Sequence, residues 1–386
     1  THGAWPLTAQ ALDALRANTA RTFELIVVDN CSRDETRERL SALDGALVVL
    51  NEENEGFGPA CNRGAARARA DQLLFLNTDA FVSPGWLEPM RETMRDPSVG
   101  AVVPQYLNPD GSLQDAGALL AQDGTVFAYG AGEDPSHPSY RFARAIDYGT
   151  AACMLLRRDV FETLGGFDDA YAPAYYEDVD LCLRIAARGM RVMYEPRATV
   201  THVLHGSGEL EAAVALSLRN RQRFIARWGE QLIGRPWTLA PDRPEEVVAQ
   251  SVIAARDAGA SPRVLLAAGP GESGAPDTAD ALLALWPRSR VTWIVSPPNG
   301  DQFDPEPWLE QGVEVLPCSD PGWIDQRLFH YDLVILGSEV EQGLLAAIRR
   351  TQPQASELSL AATAEPLAGL NARLVTAATG AGMAPP

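Results

Sequence analysis

Phe23-Glu24-Leu25-Ile26-Val27-Val28-Asp29-Asn30-Cys31-Ser32 is the stretch that decides the fold class. A compact apolar run that stops on Asp-Asn-x-Ser reads as a buried strand whose carboxyl end opens into a polar loop. Upstream, Leu7, Ala11, Leu12 and Leu15 recur at helical spacing. Downstream come a charged helix from Asp34 to about Leu43, a strand at Ala46–Leu50 and a turn-rich loop, Asn51–Gly58. A further helix, to about Ala70, leads into a second buried strand, Leu73-Leu74-Phe75-Leu76, which ends at Asn77-Thr78-Asp79. Strands and helices in alternation predict an α/β fold with a mostly parallel central sheet. In such sheets ligands sit outside the carboxyl ends of the strands, where these polar loops fall.

Residues 104–148 are rich in Gly, Pro and Asp and predict loops with a few short strands. The pattern tightens at Ala151–Leu156, turns at Gly165-Gly166, and resumes as a helix over Asp178–Arg188 with Gly189 as its C-cap. The strand Arg191–Tyr194, a His-containing loop and a helix over Leu210–Trp228 follow. Pro and charge then accumulate at Arg235-Pro236, Pro241 and Pro244-Glu245-Glu246, as in a linker. A second α/β pattern begins at Arg263–Ala267, with a helix at Thr278–Trp286 and strands at Val291–Val295, Val313–Pro317 and Tyr331–Leu336. The expected division is a domain at 1–232, a linker and connecting helix at 233–260, and a smaller Rossmann-like domain at 261–386.

At 386 residues the chain exceeds one ordinary core, so two domains are expected. No run approaches the roughly 18 apolar residues of a membrane-spanning helix. The five cysteines are scattered without a Cys-x-x-Cys pair, which predicts reduced thiols, no structural zinc and a cytoplasmic setting. A signal peptide is not expected from the opening Thr1-His2-Gly3. A net charge of −19 argues against a nucleic-acid partner. It leaves peripheral contact with a membrane surface open.

Five constellations carry the chemistry. Asp29, at a strand end, is placed to accept an N–H from a nucleobase, whereas Ser32 and Asp34 are as well explained as caps of the next helix. Asn54-Glu55-Gly56-Phe57-Gly58 with Asn62 gives a Gly-containing loop before a helix, a common pattern that is weak alone. Asp79, closing Asn77-Thr78-Asp79, is positioned for a divalent cation, against the alternative of a turn cap. Glu177-Asp178-Val179-Asp180 places three acids at a helix start. Favourable interaction with the helix dipole and an i,i+4 pair with Arg184 account for Asp180. One of the other two can face a pocket and serve as a general base. Thr199-Val200-Thr201-His202-Val203-Leu204-His205 holds two of the five histidines, either of which can complete a metal shell, against the alternative of a structural histidine.

In this order and spacing the five resemble glycosyltransferase family 2, the inverting GT-A fold enzymes, and in particular a rhamnosyltransferase-like bacterial polysaccharide branch. The resemblance covers residues 1 to about 229. It rests on Val27-Val28-Asp29-Asn30-x-Ser32-x-Asp34-x-Thr36, Asn54-x-Gly56-Phe57-Gly58 with Asn62-x-Gly64, and Leu76-Asn77-x-Asp79. Gly165-Gly166-Phe167-Asp168, Glu177-Asp178-x-Asp180-Leu181 and His202 complete it. It implies that Asp29 contacts the nucleobase and that Thr1, Asn30, Ser32, Asn54, Gly56, Phe57, Asn62 and Asn77 shape the nucleotide-sugar pocket. It implies Mg2+ or Mn2+ at Asp79, the last acid of an Asp-x-Asp motif whose first Asp is here Asn77. His202 matches the metal-associated histidine, with His205 as its rival. Asp178 is the implied base and Glu177 its support.

The implied reaction moves a sugar from a nucleotide-diphosphate sugar to a hydroxyl of a glycan or lipid-linked acceptor in one inverting displacement. The implied place is the cytoplasm or the inner face of the membrane. The family opens with an apolar strand leading into Thr-x-Asn, so the first strand is expected to be missing here. The C-terminal region resembles, more weakly, the N-terminal half of a GT-B transferase, and no catalysis is expected of it. Two other functions are weighed. A nucleotidyltransferase shares such a core but opens with a Gly-rich, Arg-containing phosphate loop that is not seen. A non-catalytic nucleotide-sugar-binding protein has no need to retain Asp79, Asp178 and His202 together.

Overall fold

The computed structural model describes residues 1–137, 140–203, 210–233, 263–269, 272, 274–285, 290–295, 303–317, 324, 331–353 and 355–360. The chain divides into two compact units. Unit 1 comprises Thr1–Pro135 and Ala145–Leu239; unit 2 comprises Ser136–Arg144 and Ala240–Pro386.

Unit 1 opens with α1 (Trp5–Asn18), which carries Pro6 in its first turn and buries Thr8, Ala11 and Leu15 on one stripe. The opening stretch gives β1 (Leu25–Asp29), followed by α2 (Thr36–Ser41), β2 (Ala46–Leu50) and α3 (Phe57–Ala65). β1 and β2 pair in parallel, with Asp29 opposite Leu50. Next come β3 (Gln72–Leu76), β4 (Ala80–Val82), α4 (Leu87–Thr93) and β5 (Val99–Leu107). Short strands follow: β6 (Leu113–Asp115), β7 (Leu119–Leu120), β8 (Val126–Phe127) and β9 (Arg144–Ile146). β10 (Cys153–Arg157), α5 (Arg158–Thr163), α6 (Glu177–Ala186), β11 (Arg191–His202) and α7 (Leu210–Trp228) complete the unit.

The main sheet is seven-stranded and ordered β3-β10-β5-β11-β4, with β6 on β5 and β9 on β11. β10 runs against both β3 and β5, and β5 is parallel to β11, so β3, β5 and β11 share one direction. β5 is buried on both faces from Val99 to Tyr106. Sequence reading places residues 104–107 in an irregular region, but the strand runs through them because both faces are covered. β11 likewise continues past Tyr194 to His202, so His202 stands on a strand and not in a loop.

α6 starts one residue earlier than expected and ends before Gly189, whose φ of 70° supplies the left-handed cap. Phe57, Phe75, Phe161 and Phe167 form an aromatic cluster with ring centroids 5.1–5.6 Å apart along its contacts. A second cluster joins Tyr171, Tyr176, Val179 and Leu183 to Phe224 and Trp228 of α7.

Unit 2 is a five-stranded parallel sheet ordered β14-β13-β12-β15-β16. Its strands are β12 (Arg263–Ala268), β13 (Arg290–Val295), β14 (Glu314–Pro317), β15 (Leu333–Leu336) and β16 (Ser356–Ser359). The described helices are α8 (Ala275–Leu285), α9 (Glu306–Glu310) and α10 (Gln342–Thr351). Phe142 packs among Val264, Trp293 and Leu333 in its core. The expected linker falls almost wholly outside the described residues.

Candidate active site

The acids at the start of α6 are buried. Tyr175 and Tyr176, with φ of 75° and 73°, turn the chain through two left-handed residues immediately before Glu177. The Asn220 side-chain amide on α7 donates to the carbonyls of Tyr171, Ala174 and Tyr175 at 2.6, 2.8 and 3.0 Å and holds that turn from outside.

Asp178 Oδ2 accepts from Tyr148 Oη at 3.2 Å and from the Ala151 N–H at 3.3 Å, and Oδ1 accepts from the Val179 N–H at 2.9 Å. Burial pushes its pKa above the usual carboxylate range, against the pull of those donors. Glu177 is pushed up further, by burial first and the neighbouring Asp178 second. Its Oε2 is buried without a hydrogen-bond partner. A neutral carboxyl is the form such surroundings favour, which leaves Asp178 to carry the charge. Asp180 is fully buried but bonded on all sides by Arg184, Arg227 and Trp228, so the structure uses it as a brace.

Asp79 and His202 come together across the β4–β11 pair. Ala80 pairs with His202, the Val203 N–H donates to the Asp79 carbonyl at 3.0 Å, and His202 Nε2 lies 3.4 Å from Asp79 Oδ1. The other ring nitrogen, Nδ1, meets Gln114 Oε1 at 2.8 Å. A carboxylate oxygen beside an imidazole nitrogen is a donor set that fits Mg2+ or Mn2+. Among the described residues no group of three or more His, Cys, Asp or Glu is assembled for a metal. His205 lies outside the described residues.

The two residues before β10 touch both the Asp178 end of α6 and the segment that leads to Asp79. Ala151 donates to Asp178, and the next residue, Ala152, accepts the Asn77 N–H at 2.8 Å. Two segments a hundred residues apart are thereby held at one sheet end.

The predicted nucleotide-sugar residues divide into lining and scaffold. A cavity of about 540 Å³ is lined by His2, Gly3, Cys31, Arg33, Asp34, Glu52, Glu53 and Asn54. Only Asn54 of the predicted set is on that lining. Thr1 pairs with the end of β1, donating to the Val28 carbonyl at 2.8 Å and accepting from the Asn30 N–H at 2.7 Å. Ser32 Oγ accepts from the Gly3 N–H at 2.7 Å. Asp29 is fully buried, accepts from the Ser32 N–H at 3.2 Å and lies 3.7 Å from Arg37 Nε. The Asn30 side chain ties the 51–56 loop by donating to Asn54 Oδ1 and the Gly56 carbonyl and accepting from Asn51 and the Glu55 N–H.

Phe57 stacks edge-on to Phe167, and Asn62 grips the Phe167 backbone at both N–H and carbonyl, each at 2.8 Å. Gly56 has no room for a side chain, since a Cβ would come 2.5 Å from the Pro173 backbone. Asp34 Oδ1 accepts from the N–H of Thr36, the first residue of α2, a helix whose N-cap position is Glu35; Ser32 bonds Gly3 and not that helix.

Sequence reasoning missed Tyr148, Gln114 and Asn220. No local motif marks any of them. Each acts on a partner 30 to 88 residues away, and only the folded sheet brings them there.

Residues 1–165 match the family model described as Glycosyl transferase family 2. Over 210 residues the chain is 36% identical to the O-antigen biosynthesis protein RfbC of Myxococcus xanthus, covering 50% of this chain and 16% of that protein. Over 249 residues it is 26% identical to the N-acetylglucosaminyl-diphospho-decaprenol L-rhamnosyltransferase of Mycobacterium tuberculosis, covering 58% of this chain and 81% of that protein. Among solved structures, GalNAc-T7 with UDP, GalNAc and Mn2+ superposes with a TM-score of 0.49 at 17% identity, over 64% of this chain and 50% of that one. The chain spans about a sixth of the length of RfbC. Among the described residues no helix is long and apolar enough to cross a membrane.

Proposed function

We propose, on the match of residues 1–165 to the glycosyltransferase family 2 model, that unit 1 transfers a sugar from a nucleotide-diphosphate sugar to an acceptor hydroxyl, with inversion and with Asp178 as base. The observation that carries this reading is that Ala151 and Ala152, just before β10, bond respectively the buried, donor-held Asp178 and Asn77 of the segment that ends on Asp79, the partner of His202.

A carboxylate offers about four lone-pair positions, and three donors occupy Asp178, so one remains to take a proton. Burial raises its basicity toward neutral pH, as base catalysis requires. The acceptor oxygen forms its bond to the anomeric carbon as that carbon's bond to the diphosphate breaks. The acceptor proton passes to Asp178, and the nucleoside diphosphate departs. Asp79 and His202 are the residues that would hold Mg2+ or Mn2+, which when bound neutralises charge on the leaving diphosphate. Glu177, kept neutral, holds the negative charge of the pair on Asp178. The cavity beside Asn54 and Arg33 is the proposed nucleoside pocket, with Asn30, Ser32, Asp29, Gly56, Phe57 and Asn62 shaping its walls from behind.

The acceptor class is a surface glycan or its lipid-linked precursor, in keeping with the names of the O-antigen and rhamnosyl relatives. Such acceptors place unit 1 at the cytoplasmic side of a membrane. A panel of nucleotide-sugars is screened by thermal shift with Mn2+, and the stabilising donor is then assayed for transfer by wild type and Asp178→Asn. Donor binding shared by both, with transfer only by wild type, is expected. Equal transfer by both removes Asp178 as the base.

A further inference from the structure

Gln114 is the extra residue of a β-bulge. Tyr106 of β5 pairs with Asp115 and Leu107 pairs with Leu113, so Gln114 has no partner on β5. Bulges re-aim a side chain, and this one sends Gln114 to His202. Its amide can be oriented without ambiguity. Nε2 lies 2.8 Å from the His202 carbonyl and 3.0 Å from Asn108 Oδ1. A backbone carbonyl only accepts. Asn108 Oδ1 is itself fixed as an acceptor, because Asn108 Nδ2 donates to Ser112 Oγ at 2.9 Å and the Leu113 carbonyl at 3.3 Å. Gln114 Oε1 therefore faces His202 Nδ1 at 2.8 Å and can only accept from it. The neutral ring must carry its proton on Nδ1, which leaves the Nε2 lone pair toward Asp79 Oδ1 at 3.4 Å. Two acceptors face each other there. Ligands held at about 2.1 Å and at right angles around one cation stand about 3 Å apart, close to this separation.

We infer that Gln114 is a positioning residue that fixes the Nδ1–H tautomer of His202, and thereby readies Nε2 and Asp79 for a divalent cation. The inference rests on the metal reading above only in its second half. The tautomer can be tested without metal.

The experiment uses the full chain labelled with 15N at histidine, metal-free, at a pH where imidazole is neutral. Wild type is compared with Gln114→Leu and Gln114→Glu, with His202→Ala assigning the resonance. Mn2+ affinity of each is measured by electron paramagnetic resonance. Wild type is expected to show His202 as the Nδ1–H tautomer. Gln114→Leu is expected to lose that preference and to bind Mn2+ roughly 10- to 100-fold more weakly, as removal of such a supporting partner generally does. Gln114→Glu keeps an acceptor opposite Nδ1 and is expected to retain the tautomer although its second oxygen then faces the His202 carbonyl and Asn108 Oδ1. An Nε2–H tautomer in that variant overturns the assignment if the leucine variant does not fold. An Nε2–H tautomer in wild type, or an unchanged tautomer in folded Gln114→Leu, overturns the assignment. If His202→Ala leaves Mn2+ binding unchanged while wild type shows the Nδ1–H form, the metal reading fails and the tautomer assignment stands.

Discussion

Trp228 donates its indole N–H to the carboxylate of Asp180 at 2.8 Å, joining α7 to α6 two residues past Asp178. Asp180 also pairs with Arg184 at 2.6 Å and Arg227 at 3.1 Å, and it is fully buried. Removing one partner of a buried ion pair leaves the other desolvated and uncompensated. Asp180→Ala is therefore expected to lower stability by about 3–5 kcal/mol, read as an earlier denaturant transition by circular dichroism. A change below a few tenths of that would show the brace to be dispensable.

Asp178→Asn, two residues away, separates in the opposite sense. Transfer is expected to fall roughly 10²- to 10⁴-fold, the usual contribution of a general base. Stability is expected to change little at neutral pH, because relief of the buried charge is offset by an amide NH2 that must face one of the donors now bonded to the carboxylate. Paired measurements of transfer rate and melting temperature distinguish a base from a brace.

Glu177→Gln tests the neutral carboxyl. Its pKa is raised on folding, so between the unfolded and the folded pKa the native state binds more protons than the unfolded chain. Stability from this group is present below the unfolded pKa and declines as pH rises through that window. The glutamine variant is expected to match wild type in acid and to exceed it at neutral and alkaline pH. A parallel pair of stability–pH curves would count against a neutral Glu177.

The Tyr175–Tyr176 turn stores strain that glycine relieves. A left-handed non-glycine residue costs about 1–2 kcal/mol. Tyr175 is exposed, with φ of 75°, so Tyr175→Gly is expected to be neutral or mildly stabilising in a melting assay. Asn220→Ala, which strips the bonds to three carbonyls of that segment, is expected to destabilise by about 1–3 kcal/mol. The reverse order of effects would show that the turn is set elsewhere.

The sequence speaks most clearly where one local cause suffices. The apolar run before Asp29 forms β1, Gly189 ends α6, and Asp180 pairs with Arg184 as their spacing of four predicts. It is less clear where position depends on distant chain. β10 is a plain apolar run in sequence, and its antiparallel course between β3 and β5 arises from pairing with strands fifty and more residues earlier. Asp29, Asn30 and Asn62 carry the right chemistry for ligand contact, and each also bonds protein groups. A strand-end polar motif signals a site without saying which of its members face inward. Gln114 carries no signal at all, since a bulge depends on the register of both strands.

Ser136–Arg144 belong to unit 2 although residues on both sides belong to unit 1. Phe142 is 1% exposed among side chains that begin at Val264, more than a hundred residues further on. On the ribosome, chains fold N-terminus first. Unit 1 thus emerges with one of its own connections waiting for partners not yet translated, and Phe142 finds its place only once β12, β13 and β15 have been made. The order of synthesis and the order of assembly differ at this one crossing. A nascent chain stalled before Arg263 is the form in which that phenylalanine lacks its core.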